Sequence, residues 1–235
     1  MKKSRVFITG DIHGERDFDR LGPERFKEGM GLSKNDYVII AGDFGCLKTG
    51  GEEEKKLLDW LDERPFTTLF VDGNHENFTL LNSYNVDLWN GGKVHRITDS
   101  AIHLMRGQVF EISDRKIFTF GGAASPNKDE LIENVSWWKE ELCSKDEICE
   151  SNLNLERHNW SVDYVISHTA STSMLDELML MRGYKMVTSV VTDHLEDVYR
   201  NLDFKRWYFG HFHLDVSILS NVSVVYNSFY ELVDE

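Results

Sequence analysis

Five short clusters in this sequence carry side chains able to hold metal ions: Asp11-Ile12-His13, Gly42-Asp43, Gly73-Asn74-His75-Glu76, His168, and Gly210-His211-Phe212-His213. Their donors are carboxylate and carboxamide oxygens and imidazole nitrogens, with no thiolate at a key place. That set suits Mn2+, Fe, Zn2+ or Ni2+ better than a purely soft or purely hard ion. A carboxylate has two oxygens, so one Asp can bridge two cations, and Asn adds a neutral carbonyl oxygen without adding charge. On an extended chain, residues two apart leave on one face. Asp11 with His13, and His211 with His213, are therefore each expected to face one metal cluster. Taken singly, such motifs are more often loops or caps than ligands. Five in order, each behind an apolar run, are hard to obtain by chance.

Those apolar runs are the elements that must position the donors. Val6-Phe7-Ile8-Thr9, Tyr37-Val38-Ile39-Ile40-Ala41 and Thr68-Leu69-Phe70-Val71 read as buried strands, each ending at a small polar cluster with Gly. The polar stretch 15–34, broken by Pro23, reads as short helical turns. A helix is predicted over 51–63, with Leu57, Leu58 and Leu61 on one side, Glu52-Glu53-Glu54 at the positive end of its dipole, and Pro65 as its stop. This is the βαβ pattern of a largely parallel sheet, whose ligands bind beyond the carboxyl ends of the strands.

From 93 to 122 the pattern predicts a meander: Lys93 to Arg96, Ala101 to Met105, Gln108 to Ile112 and Lys116 to Phe120, with Ser113-Asp114 as a hairpin turn. Residues 125–160 are polar and charged and read as a cap-like excursion, helical at 145–157. A strand at Tyr164-Val165-Ile166, helices near 173–181 and 188–201, and strands at Trp207-Tyr208-Phe209, Val216-Ser217-Ile218 and Val222 to Tyr226 follow. With no internal repeat or low-complexity linker, one compact domain over 1–235 is expected.

Composition excludes several functions. The 235 residues carry 26 Lys and Arg against 40 Asp and Glu, a net charge of −14. Such a chain lacks the basic stripe of a general nucleic-acid binder and repels anionic lipid. The three cysteines, 46, 143 and 149, form no CxxC pair and suit free thiols in a reducing compartment. The basic Met1-Lys2-Lys3-Ser4-Arg5 precedes only four apolar-leaning residues, too few for a signal peptide, and no apolar run is long enough to span a membrane. A soluble, cytoplasmic protein is expected.

From Val6 to about Asn227 the order Asp-x-His, Gly-Asp, Gly-Asn-His-Glu, lone His and Gly-His-x-His resembles the calcineurin-like metallophosphoesterases. The resemblance implies an α/β fold, a four-layer α/β/β/α sandwich of two mixed sheets flanked by helices. It implies two divalent ions, manganese first, with Fe, Zn, Ni or Mg as alternatives. One would be held by Asp11, His13, Asp43 and His213, the other by Asp43, Asn74, His168 and His211. His75 would be the catalytic histidine beside the phosphate, and a hydroxide bridging the metals the nucleophile. The substrate would be a small-molecule or peptide phosphoester, either a diester or a monoester. Alternatives are a Ser/Thr protein phosphatase and a scaffold without turnover.

Two departures stand out. Cys46 occupies the place where many relatives put an Asp that orients the catalytic histidine, which leaves Asp72 or Glu76 as candidate acids. Cys46 itself is read as a small buried side chain. The Asp-Arg-Gly of the protein phosphatases is replaced by Cys46-Leu47-Lys48, which lowers that reading. Ser167 before His168, where Gly is common, looks harmless. Trp137, Trp138 and Trp160 could wall the site, although packing of the excursion is the preferred reading. Arg106 and Arg115 are read as surface residues of a hairpin that do not reach phosphate. His95, His103, His158 and His194 are read as structural, and Cys143 and Cys149 as plain thiols.

Overall fold

A computed structural model describes residues 3–182 and 188–233. Met1 and Lys2 of the basic N-terminal run lie outside the described residues. Strands form where β-branched and aromatic residues run unbroken. They are β1 (Val6–Thr9), β2 (Tyr37–Ile40), β3 (Thr67–Phe70), β4 (Val86–Trp89), β5 (Gly92–Arg96), β6 (Ala101–Leu104), β7 (Gln108–Ile112), β8 (Arg115–Phe120), β9 (Ser161–Ser167), β10 (Asp203–Phe209), β11 (Val216–Leu219), β12 (Val222–Val224) and β13 (Tyr230–Glu231). The helices are α1 (Glu52–Asp62), α2 (Phe78–Leu81), α3 (Lys145–Arg157), α4 (Thr172–Arg182) and α5 (Val190–Asn201). The stretch after β1 makes 3-10 turns, as its broken pattern predicts.

Among the described residues the strands form a seven-stranded sheet, β13-β1-β2-β3-β6-β5-β4, and a six-stranded sheet, β11-β12-β10-β9-β8-β7. In the first, β1, β2, β3 and β6 are parallel. In the second, β12, β10, β9 and β8 are. Antiparallel pairings close both edges of each sheet.

Alternation along the strands sorts side chains into three cores. Val6, Ile8, Ile39 and Leu69 meet Phe110, Ile117, Ile166 and Tyr208 between the sheets. Phe7, Val38, Ile40 and Phe70 point the other way, onto Leu58 and Leu61 of α1 and the 3-10 turns. Phe118, Val165, Trp207 and Phe209 pack on Leu155 of α3, Met174 and Leu178 of α4, and Leu195 and Val198 of α5. This is the four-layer sandwich with mixed sheets. No helix among the described residues is long and apolar enough to cross a membrane.

The predicted meander is in fact two pieces. The chain leaves the first sheet after β6, turns through Met105-Arg106-Gly107, and enters the second sheet at β7. Local alternation cannot reveal this, because pairing partners are chosen by long-range burial. The hairpin at Ser113 and Asp114 is present, with φ of 55° and 60°. The excursion contains α3 over the expected residues, opened by a capping box between Ser144 and Glu147. Arg106 and Arg115 are buried, not exposed on a hairpin.

His194 of α5 is 4% exposed, its Nε2 3.0 Å from Ser151 Oγ and its ring 4.8 Å from the Phe120 ring. Burial lowers its pKa from 6.5 to about 4. The folded chain keeps the imidazole neutral while the unfolded chain takes up a proton. The stabilising difference is therefore complete above pH 6.5 and lost as pH falls towards 4. Over that window urea unfolding should show a loss on the order of 3 kcal/mol from this group, and His194→Gln should flatten the pH dependence.

Candidate metal centre

All five clusters lie just beyond carboxyl ends of parallel strands: Asp11 after β1, Asp43 after β2, Asn74 after β3, His168 after β9 and His211 after β10. Both sheets thus deliver donors to one edge. The loops turn sharply there. His13, Asp43, His211 and His213 have φ of 53°, 47°, 67° and 52°, a left-handed region that non-glycine residues seldom enter. Such strain persists only where the surroundings over-determine it. The expected extended geometry of Asp11-Ile12-His13 and His211-Phe212-His213 is therefore wrong: a reversed backbone, not alternation along a strand, turns these side chains towards the cluster. Two glycines permit the close approach. A Cβ on Gly42 would stand 2.0 Å from His168 Nδ1, and one on Gly73 would stand 1.9 Å from Asp43 Oδ1.

The donors fall into two touching sets. In the first, His213 Nε2 lies 3.1 Å and His13 Nε2 3.8 Å from Asp11 Oδ2, and the two ring nitrogens are 2.9 Å apart. In the second, His168 Nε2 lies 3.6 Å from Asp43 Oδ1 and 3.1 Å from Asn74 Oδ1, and the His211 ring stands against the His168 ring at 5.0 Å. Asp43 faces both sets, because its Oδ2 is 3.9 Å from His13 Nε2. Asp11 also belongs to both, forming a second potential ligand group with Asp43 and His168. Backbone N–H groups hold the inner oxygens: His211 donates to Asp11 Oδ1 at 3.0 Å and His75 to Asp43 Oδ1 at 2.9 Å.

The donor chemistry fits cations. His168 Nδ1 lies 2.8 Å from the Ala41 carbonyl, which fixes the proton there and leaves Nε2 as a lone pair. Asn74 is fixed as well. Its amide nitrogen donates to Ser125 Oγ at 3.1 Å, and the Ser125 hydroxyl donates to Glu141 Oε2 at 2.5 Å. Asn74 must then present its carbonyl oxygen to His168 Nε2, so two acceptors face each other in a buried place. Only a proton or a metal ion between them relieves the repulsion. Asp11 Oδ2 is likewise buried without a well-formed hydrogen bond.

Electrostatics run in the same direction. Burial alone would lower His168, but Asp43 and Asp11 outweigh it and its pKa is raised. The contact with Asp11 raises His213. Burial lowers His13 and brings His211 to about 4, which leaves both as neutral ligands. Burial would raise Asp11, yet His213 and His168 hold it below the usual carboxylate range.

His75 is exposed and lines the clefts on both sides of the cluster. Among the described residues neither acid considered for it hydrogen-bonds its ring: Asp72 is taken by Arg106 and His103, at 2.5 and 3.1 Å, and Glu76 Oε1 accepts from the Phe44 N–H at 2.7 Å. Burial and then Asp43 push Glu76 up to about 8. Cys46 is fully buried in the core, as expected of a small side chain. Trp138 donates to Thr79 Oγ1 at 2.9 Å and, with Trp137, packs the excursion down.

Sequence reasoning missed three groups. Ser125 and Glu141 orient Asn74 from the excursion. Buried Arg20 donates to the carbonyls of Gly10 and Asp11 and to Asn227 Oδ1, so it ties the Asp11 loop to the last strands. Tyr226 stacks on His213 at 4.7 Å. No spacing rule marks them, since their partners are remote in sequence.

A family model for calcineurin-like phosphoesterases matches residues 4–215, and the chain belongs to that family. Membership implies metal-dependent phosphoester hydrolysis, and the Asp and His clusters are suited to divalent metal. No curated protein matches the chain. Loss of the partner that orients a ligand weakens metal sites by about 10–100-fold. Ser125→Ala and Glu141→Gln should each reduce Mn2+ affinity by that order in calorimetric titration, and wild-type affinity in both would sever Asn74 from this chain of hydrogen bonds.

Proposed function

We propose that this chain hydrolyses phosphoesters at a dinuclear centre of divalent metals, with manganese the first choice. Asp11, His13, Asp43 and His213 would hold one ion, and Asp43, Asn74, His168 and His211 the other. The observation that carries this reading is the buried Asp43 carboxylate, whose Oδ1 is 3.6 Å from His168 Nε2 while its Oδ2 is 3.9 Å from His13 Nε2. When bound, the metals polarise phosphoryl oxygens and acidify a water enough to make it a nucleophile near neutral pH.

The chain's own residues do the rest. Asp11 and Asp43 offset only half the charge of two divalent ions, so the cleft attracts an anion although the protein carries −14. Remote carboxylates are screened beyond about 8 Å at physiological salt. In the hydrolysis a water oxygen forms the new bond to phosphorus and the ester P–O bond breaks. The His75 imidazole, open to the cleft, delivers a proton to the leaving oxygen. Every ligand position of the motif order is filled, which favours an enzyme over a scaffold without turnover. The free thiols Cys46, Cys143 and Cys149 support the cytoplasm as its location.

Manganese-dependent hydrolysis of bis(p-nitrophenyl) phosphate, p-nitrophenyl phosphate and a phosphopeptide tests the reading. His75→Ala should keep its metal yet lose about a hundredfold to ten-thousandfold in kcat. Asp43→Asn should lose both metal and turnover. Loaded metal with no turnover on any ester would make the chain a scaffold, and turnover concentrated on the phosphopeptide would make it a protein phosphatase.

A further inference from the structure

The candidate centre is flanked by two clefts that share His75 and His213 and otherwise differ in chemistry. One, of about 380 Å3, continues past Asp43 and Asn74 between the loop at 123–127 and α4. Beyond the donors its lining is Pro126, Leu175, Met179 and Phe212 with the uncharged Asn127, Thr169 and Thr192, and no Lys or Arg lines it. The other, of about 500 Å3, opens beyond His13 and is bordered by Arg16, Lys48, Thr49 and Trp138.

Arg16 and Lys48 stand out in so acidic a protein. Both are exposed, and neither side chain forms an ion pair among the described residues. Glu54, the acid nearest in sequence on α1, is already committed: its carboxylate accepts from the backbone N–H groups of Lys48, Thr49 and Gly50. Glu15 and Glu54 line a neighbouring groove that Arg16 and Lys48 also border, and among the described residues Glu15 forms no ion pair with either. Two uncommitted cations beside a phosphate site invite a second anion, since charge-assisted contacts are the strong ones. The opposite cleft offers a second anion no Lys or Arg, and its Leu175, Met179 and Phe212 suit an uncharged apolar group instead.

We propose that the substrate is a phosphodiester with unlike arms: an uncharged apolar or aromatic group seated against Leu175, Met179 and Phe212, and a polar arm whose second phosphate meets Arg16 and Lys48. This rests on the phosphoester reading and narrows it. A monoester would fill only one of the two clefts. The scissile phosphate lies between them, beside His75. Attack of water breaks one ester bond, and the products are an alcohol or phenol and a phosphomonoester.

Equilibrium binding to the manganese-loaded protein tests both arms without turnover. Thymidine 3′,5′-bisphosphate should bind about tenfold more tightly than thymidine 5′-phosphate, and the ratio should fall towards one in the Arg16→Ala/Lys48→Ala variant. Phenylphosphonate should bind about tenfold more tightly than methylphosphonate, and Met179→Asp should erase that preference. Equal affinities within either pair for the wild type would overturn the proposal. If bis(p-nitrophenyl) phosphate is still hydrolysed in that event, the phosphoester reading survives alone. If the preferences hold but no ester is turned over, the clefts stand as argued and the hydrolase reading fails.

Discussion

Where the two sheets deliver their loops, acceptors face acceptors. His168 Nε2 and Asn74 Oδ1 lie 3.1 Å apart, each held in that orientation by a hydrogen bond on its far side. His13 and His213 bring their ring nitrogens to 2.9 Å beside the unsatisfied oxygen of Asp11. An apolar core built to exclude water would not tolerate such a knot. Divalent ions bound there would turn the repulsion into coordination. The two sheets, the reversed loops and the buried polar struts all serve to keep this group of lone pairs from relaxing apart.

The sheets supply rigidity and the loops supply direction. Four parallel strands in each sheet aim their carboxyl ends at one edge, and sheet-to-sheet packing by residues such as Ile8, Ile39 and Ile166 fixes the distance between the two halves of the site. Left-handed backbone at His13, Asp43, His211 and His213 then swings the side chains inward. Arg20 and the Ser125–Glu141 pair hold the loops from behind. Strain of this kind, on the order of 1–3 kcal/mol per residue, needs such support to persist.

Much of this was legible in the amino-acid order. The donors stand immediately after apolar runs, so strand and ligand could be read together. Helix α3 lies where the charged excursion was expected to be helical, and α1 announces itself by its acidic first turn. What escaped depends on contacts between distant segments. The passage from β6 to β7 looks like any turn in a meander, yet it carries the chain from one sheet to the other. Arg106 looked like a surface cation, but burial beside Asp72 makes it part of the frame. Helix α2 and strand β4 are only four residues each, too short for periodicity to register. The service of Glu141 to Asn74 spans the excursion and leaves no local mark.

The central claim is that Asp43 stands between two cations. X-ray anomalous scattering from manganese-soaked crystals, collected on either side of the manganese absorption edge, tests it directly. The account predicts two peaks, one on each side of the Asp43 carboxylate, the first among Asp11, His13 and His213 and the second among Asn74, His168 and His211. A single peak away from Asp43, or none at full manganese saturation of the crystal, would contradict it.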